Sequence, residues 1–350
     1  MKKKVTIIGI VGIPAQYGGF ETLTEHLTIC LAKNYMITVF CSSKSHSLKS
    51  KAHNGAALKY INLKANGFQS ILYDIISILK SVNSSDTLLI LGVSGCVILP
   101  FIKWFYPVRI IVNIDGIEWK RDKWSWPVKW FLKLSEGLAV KYADTIISDN
   151  KAIQLYIQNE YKVGSEFIAY GADHVTKTSI EKGMLLYYPF LEGKYFFTVC
   201  RIEPENNLDI VLEAGCLQKN LPVVIVGNWN SSVYGKQLRE KYSDFDHIYL
   251  LDPIYDQKKL NMLRSNCYAY LHGHSAGGTN PSLVEAMHLE LPIISYGAIY
   301  NKETTNNKAL YFSTAQELVL LMEYTSHSDL VSVAQNMGEI SKREYSWKKI

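Results

Sequence analysis

The stretch His272–Met287, HGHSAGGTNPSLVEAM, sets small and turn-forming residues directly ahead of a helical pattern that carries one carboxylate. Gly277, Gly278, Thr279, Asn280 and Pro281 can bring backbone N–H groups close to a ligand, with Asn280 as N-cap and Pro281 at the first helical position. Ser282, Leu283 and Val284 then open a helix whose N-terminal dipole favours a phosphate. Glu285 falls about one turn further in, where its two oxygens can accept hydrogen bonds from a vicinal diol such as a ribose. Diphosphate and sugar diol together imply a nucleotide. A plain capped helix needs only the Asn-Pro-Ser start. Two glycines, His272, His274 and an acid set among Leu283, Val284, Ala286 and Met287 exceed that, because an acid on an apolar face needs a partner.

Other candidate groups stand where apolar runs end. Arg201 follows YFFTVC and precedes Glu203, Glu205 and Asn206, so its guanidinium is placed to clamp a diphosphate through two parallel hydrogen bonds. Asp115 follows RIIVNI in the segment DGIEWKR; an Asp-Gly pair is also a common turn former, but residues past a parallel strand's carboxyl end face the ligand crevice. After the first strand, GIVGIPAQYGGFETLTEHL supplies Gly18 and Gly19, which permit close backbone approach to a donor. Its spacing is not G-x-G-x-x-G, and ITVFCSSK ends without an acid, so a dinucleotide fingerprint is absent.

These groups need strands and helices in alternation to hold them, and the chain supplies them. VTIIGI, ITVFCS, LKYINL, TLLILGV, RIIVNI and DTIISD, then YFFTVC, PVVIVG, HIYLL, CYAYLHG and PIISYG, are short apolar runs separated by helical patterns. That alternation predicts an α/β protein with two doubly wound parallel sheets. A chain of 350 residues exceeds one ordinary core, so the expected domains are residues 1–175 and 176–350, joined within the weakly patterned stretch from Tyr170 to Pro189.

Charge divides unevenly. Residues 1–175 hold 20 lysines and arginines against 13 acids, a net +7, whereas the second half is −2. No acid occurs between Glu25 and Asp74. Five of the seven tryptophans, Trp104, Trp119, Trp124, Trp126 and Trp130, cluster in one stretch among Lys103, Lys120, Arg121, Lys123, Lys129 and Lys133. The mixture suits an anionic bilayer interface, with Trp119, Lys120, Arg121 and Trp124 as the residues expected to face acceptor and membrane. It also suits single-stranded nucleic acid, but a nucleic-acid-binding module would leave the His272–Met287 segment unexplained. One long uncharged run, Thr87–Ile102, is short of the roughly 20 residues a spanning helix needs and contains Gly92, Gly95 and Pro100. Six irregularly spaced cysteines in apolar runs predict reduced core thiols, and no signal-peptide pattern is present, so the expected place is the cytoplasmic face of a membrane.

Taken together, PAQYGGFET, NIDGIEWKR, RIEPENN and HGHSAGGTNPSLVEAM resemble the loops of the retaining glycosyltransferases of family 4, and their wording is similar to the bacterial rhamnosyltransferases of capsule and O-antigen assembly. The resemblance covers nearly the whole chain. It implies the GT-B fold, two Rossmann-like domains facing a central cleft, with acceptor binding in the first and donor binding in the second. It implies transfer of a hexosyl or deoxyhexosyl group, L-rhamnose from dTDP-rhamnose foremost, with retention, to a lipid-diphosphate-linked glycan. Arg201 with Glu205 resembles the R-x-x-x-E-K donor loop and Glu285 the second acid of E-x7-E. Three positions depart: Asn206 replaces the lysine, Gly277 the first acid, and Asp115 the histidine common after the fifth strand. The chain also stops at YSWKKI, where members of that family continue through a last helix, so a short enzyme or a truncated form is expected.

The expected donor contacts are therefore Gly18, Gly19, Arg201, Glu205, Asn206, His272, Gly278, Thr279, Asn280, Ser282 and Glu285, with Asp115 and Arg201 catalytic. No dense acid cluster occurs, so a metal-independent reaction without a cofactor is expected. A nucleotide-sugar epimerase would need the same diphosphate clamp, but not the tryptophan–lysine surface.

Overall fold

The structure, a computed structural model, describes residues 2–15, 18–45, 49–114, 116–121 and 124–350. The chain divides into two compact units, Met1–Ala169 and Tyr170–Ile350. The six residues 170–175, assigned by sequence to the first half, belong to the second unit: Ala172 donates its N–H to Tyr345 O and Asp173 accepts from Trp347 N.

In the first unit the order is β1 (Lys4–Ile8), α1 (Gly19–Leu31), β2 (Met36–Ser42), β3 (Ala52–His53), β4 (Ala56–Ile61), α2 (Gln69–Ser81), β5 (Thr87–Leu91), α3 (Leu99–Phe105), β6 (Arg109–Ile114), α4 (Trp126–Tyr142), β7 (Thr145–Ser148), α5 (Lys151–Tyr161) and β8 (Glu166–Phe167). The second runs β9 (Phe196–Val199), α6 (Leu208–Gln218), β10 (Val223–Val226), α7 (Val233–Tyr242), β11 (Ile248–Leu251), α8 (Gln257–Ser265), β12 (Ala269–His272), α9 (Pro281–His288), β13 (Ile293–Tyr296), α10 (Ile299–Thr304), β14 (Leu310–Phe312), α11 (Ala315–Tyr324) and α12 (His327–Glu344).

Every apolar run singled out in the sequence forms a strand. Among the described residues the first sheet has the order β3-β4-β2-β1-β5-β6-β7-β8 and the second β11-β10-β9-β12-β13-β14. All pairs are parallel except β3 with β4. Strands covered on both faces read as unbroken apolar runs, as VVIV and TLLIL do. Phe196, Val223, Ile225, Leu271 and Ile294 form the centre of the second core with Leu208, Val211 and Leu212 of α6. The strands not foreseen, β3, β8 and β14, have two or three residues each, too few to show a period.

Strand order reverses between β1 and β5 in one sheet and between β9 and β12 in the other. At such switch points the loops at the carboxyl ends part and leave room for a ligand. Both units use a glycine there for close backbone approach. A Cβ on Gly9, just past β1, would stand 2.0 Å from Leu91 O at the end of β5; a Cβ on Gly273, just past β12, would stand 2.0 Å from Asn206 O in the loop after β9.

Candidate functional site

The second switch point gathers most of the sequence-predicted donor residues. Past β9, Arg201 enters a loop whose turn Pro204–Asn206 is a single 3-10 turn. Past β12, residues 273–280 lead into α9. Neutral amides stitch the two loops together. Asn206 donates from Nδ2 to Arg201 O (2.7 Å), and its Oδ1 lies 2.9 Å from His274 Nδ1. Because Asn206 Nδ2 is the donor to Arg201, the Oδ1 accepts and His274 carries its proton on Nδ1. Asn207 donates to Gly273 O (2.7 Å), Asn301 to His274 O (2.7 Å), and Ser275 donates from both N and Oγ to Glu205 O.

The start of α9 is as the sequence predicts. Asn280 is the N-cap, its side-chain oxygen accepting from Ser282 N (3.0 Å) and Ser282 Oγ (2.9 Å), with Pro281 first in the helix. The cap is uncharged, so the positive end of the α9 dipole carries no carboxylate of its own in that turn. Gly278 and Thr279 are buried in the loop and Ser282 is half-buried at its lip.

Gly277 explains a departure from the resembled motif. Its φ is +98°, a conformation that L side chains rarely adopt. The glutamate of E-x7-E therefore cannot be placed there without moving the backbone. Asn206, in the place of the lysine, is almost fully buried and ties Arg201 O to His274; it acts within the loop and supplies no charge. Thus the two missing charges are matched by a loop pair built on amide hydrogen bonds.

His272 is not a cationic ligand. It lies buried beside Tyr270, their rings stacked at 6.2 Å, and burial pushes its pKa down to about 3, so the imidazole is neutral at physiological pH.

Glu285 is engaged on both oxygens. Its Oε2 accepts from Nη1 of Arg264, a fully buried residue of α8 whose Nη2 reaches Asn261 Oδ1 at 3.1 Å, and its Oε1 lies 3.2 Å from His174 Nε2. Burial alone would raise the carboxyl pKa; the Arg264 guanidinium and the His174 hydrogen bond outweigh it and hold the group down to about 2. Glu285 is therefore ionised and accepts only. Its side chain stays 12% exposed. Sequence reasoning missed Arg264, His174 and Asn301. The signal for Arg264 was present: a guanidinium within the buried face Leu260–Leu263 of α8 demands an acid partner.

The first switch point is built differently. Gly18 is the extended N-cap of α1 (φ −161°), a conformation open to any residue, and Gly19 begins the helix. The turns of α1 carry their own acids. Glu21 Oε1 accepts from Val11 N (2.7 Å), and Glu25 Oε2 accepts from Ala15 N (3.1 Å) while its Oε1 holds His53 and Asn54. A Cβ on Gly18 would come within 3.2 Å of Glu21 Oε2. N–H groups of this loop, at Val11 and Ala15, are thus bonded to carboxylates of the same unit.

Of the expected catalytic pair, Arg201 lies at the second switch point and Asp115 falls outside the described residues. The residues expected to face a membrane are also rearranged. Trp119 donates to Tyr156 OH (3.3 Å) and Trp124 to Glu118 Oε1 (3.0 Å), while Arg121 pairs with Glu118 Oε2 at 2.8 Å. Lys133 Nζ sits 4.9 Å from the Trp119 ring centre and between the rings of Tyr156 and Tyr161, both of which donate to the fully buried Glu136. Only Lys120 of the four is exposed. The outward rings are instead Trp104 (85% exposed), Trp126 (78%) and Trp130 (62%), with Phe101 and Phe105. Spacings of three and four residues put Phe101, Trp104 and Phe105 on one face of α3, and Trp126 and Trp130 on one face of the adjacent α4.

An open hollow of about 480 Å3 lies at the other end of the second sheet, lined by Cys267 and Tyr268 just ahead of β12, Pro292 just ahead of β13, and Glu290, His327 and Lys342. It lies away from the loops that carry the candidate chemistry. Among the described residues no group of three or more His, Cys, Asp or Glu is arranged to hold a metal ion, and no helix is long and apolar enough to cross a membrane.

Comparison with known proteins agrees with this picture. Residues 189–342 match the family model described as Glycosyl transferases group 1, and residues 2–173 match a domain of unknown function, DUF1972. The chain thus carries a group 1 glycosyltransferase domain. A curated relative, Glycosyltransferase 1 domain-containing protein 1 of Xenopus tropicalis, is 29% identical over 109 residues, which span 30% of each chain. Similar solved structures include the sucrose-phosphate synthase of Thermosynechococcus elongatus (TM-score 0.80, 12% identity, covering 99% of this chain and 96% of that one). Anabaena HepE in complex with UDP-glucose gives a TM-score of 0.74 at 14% identity, covering 99% and 96%. The architecture is the GT-B fold, α/β with two parallel-sheet domains.

Proposed function

We propose that this protein is a glycosyltransferase that takes a hexosyl or deoxyhexosyl group from a nucleotide diphosphate sugar, with the second unit holding the donor. The observation that carries the reading is the second switch point: an amide-braced loop pair facing the start of α9, with an ionised Glu285 one turn further in. The diphosphate lies at that helix start and against Arg201, and the nucleotide sugar diol on Glu285. The group 1 match over residues 189–342 and the HepE complexes with UDP and UDP-glucose support the assignment.

Transfer proceeds with retention. The bond from the anomeric carbon to the diphosphate oxygen breaks, the acceptor hydroxyl forms its bond from the same face, and its proton passes to the departing diphosphate. No protein nucleophile is needed; the chain's own contribution is positioning and stabilisation of the leaving charge by Arg201 and the α9 start. Asp115 is proposed to accept a hydrogen bond from the transferred sugar or the acceptor hydroxyl. L-rhamnose is the sugar the sequence resemblance favours, and a lipid-diphosphate-linked glycan the acceptor.

The acceptor points to a membrane surface, and Trp104, Trp126 and Trp130 with Phe101 and Phe105 are the rings available to it, in a first half of net charge +7. Binding of this kind places the protein on the cytoplasmic face and weakens as salt rises.

Thermal-shift screening against UDP-, GDP- and dTDP-sugars tests the reading. A donor at 100 times its dissociation constant adds about 2.7 kcal/mol. Stabilisation by at least one, followed by sugar transfer with the α- or β-configuration kept, supports it; no stabilisation by any of them overturns it.

A further inference from the structure

Glu285 is the end of a longer chain of hydrogen bonds. His174 Nε2 meets Glu285 Oε1 at 3.2 Å, and His174 Nδ1 lies 3.1 Å from Trp347 Nε1. An indole N–H donates and never accepts, so Nδ1 is the acceptor and the imidazole proton sits on Nε2, directed at Glu285. Trp347 is itself fixed. Its backbone N–H donates to Asp173 Oδ1 (2.8 Å), Tyr345 O accepts from Ala172 N (2.8 Å), and its ring lies so close to Gly171 that a Cβ there would stand 2.4 Å from it. From the other side the fully buried Arg264 holds Oε2.

A carboxylate offers about four acceptor positions, two on each oxygen. With one donor from Arg264 and one from His174, each oxygen of Glu285 keeps a further position, and the plane of the group is set by two fixed partners. Such a carboxylate suits two adjacent hydroxyls and is half-used by one.

We infer that Trp347 and His174 are positioning residues that make Glu285 selective for a ribonucleoside diphosphate over its 2′-deoxy counterpart. The inference rests on the proposed role of Glu285 in donor binding. Trp347 acts through the tautomer of His174, and His174 through the orientation of the carboxylate. Among carriers of the same sugar, UDP or GDP is then favoured over dTDP, in contrast to the dTDP-rhamnose that the sequence resemblance implies.

Calorimetric titration of the whole chain with UDP, GDP and their 2′-deoxy forms tests this. A hydrogen bond to a charged acceptor is worth roughly 1.5–3 kcal/mol, so the wild-type protein should bind one ribonucleotide about 10- to 150-fold more tightly than its 2′-deoxy form. Trp347→Phe, which keeps an aromatic ring and removes the N–H, should narrow that ratio several-fold while leaving affinity for the deoxy form within about threefold. His174→Gln, whose amide can still donate to Glu285, should retain the ratio better than His174→Leu. In 15N-histidine-labelled protein the His174 nitrogen shifts should report the Nε2–H form in wild type and a mixture in Trp347→Phe, a change that a merely structural role would not produce. Equal binding of ribo- and deoxynucleotides, or a ratio untouched by Trp347→Phe, overturns this inference alone. Absence of any nucleotide binding overturns the donor-site reading with it.

Discussion

The β1–α1 loop and the β12–α9 loop each lie past one of the two strands between which strand order reverses, and each begins with a glycine pressed against backbone beside it, Leu91 at the end of β5 in one and Asn206 in the loop after β9 in the other. The groups that brace them differ. In the first, Glu21 and Glu25 bond the loop's own N–H groups at Val11 and Ala15. In the second, Asn206, Asn207, Asn280 and Asn301 brace the loops, and the helix start is capped by an amide. On the proposed reading one fold device serves two purposes: a carboxylate-braced loop repels a diphosphate, whereas an amide-braced loop beside a helix N-terminus attracts one.

The comparison is tested most severely where a buried charge supports the second site. Arg264→Met leaves the Glu285 carboxylate without its buried cation and should destabilise the fold by about 3–5 kcal/mol, a loss that replacing Glu285 by Met as well should largely reverse. Denaturant unfolding of both variants measures this; equal stability of Arg264→Met and wild type would show that the pair does not hold α8 to α9.

Next come the paired glycines. Gly9→Ala and Gly273→Ala each push a Cβ against a carbonyl oxygen and should cost roughly 1–3 kcal/mol in the unfolding midpoint. Nucleotide affinity should fall only with Gly273→Ala. Equal losses of affinity would mean that the two switch points do not differ in function.

A smaller effect is expected from pH. The Glu285 pKa is depressed from 4.5 to about 2, so its contribution to stability is complete above about pH 4.5 and is lost as pH falls through the folded value. The difference in stability between wild type and Glu285→Gln should therefore shrink as pH falls below 4.5. A difference that stays unchanged in that acid range would contradict the Arg264–Glu285 assignment.

Much of this was legible in the residues. Every long apolar run became a strand, and the Asn280-Pro281 helix start formed as its chemistry requires, because periodicity and capping are local. What the sequence could not show was partnership across distance. Arg264 and His174 stand 21 and 111 residues from the acid they hold, and Trp347 is 173 residues from His174. The tryptophan cluster misled for the same reason: Trp119 and Trp124 look like Trp126 in sequence, but Tyr156 and Glu118 turn them inward. Gly277 read as a lost acid, whereas its backbone conformation excludes one.

The most direct measurement is a calorimetric titration of UDP, GDP and dTDP into wild type, Asn280→Asp and Glu21→Gln. Aspartate caps a helix as well as asparagine, so Asn280→Asp should keep its melting temperature while its negative charge, about 4 Å from a phosphate, opposes binding by about 1–4 kcal/mol, or roughly 10-fold and upward. Glu21→Gln should leave affinity within about twofold. Binding that survives Asn280→Asp and is lost in Glu21→Gln would place the diphosphate at the first switch point and contradict the account.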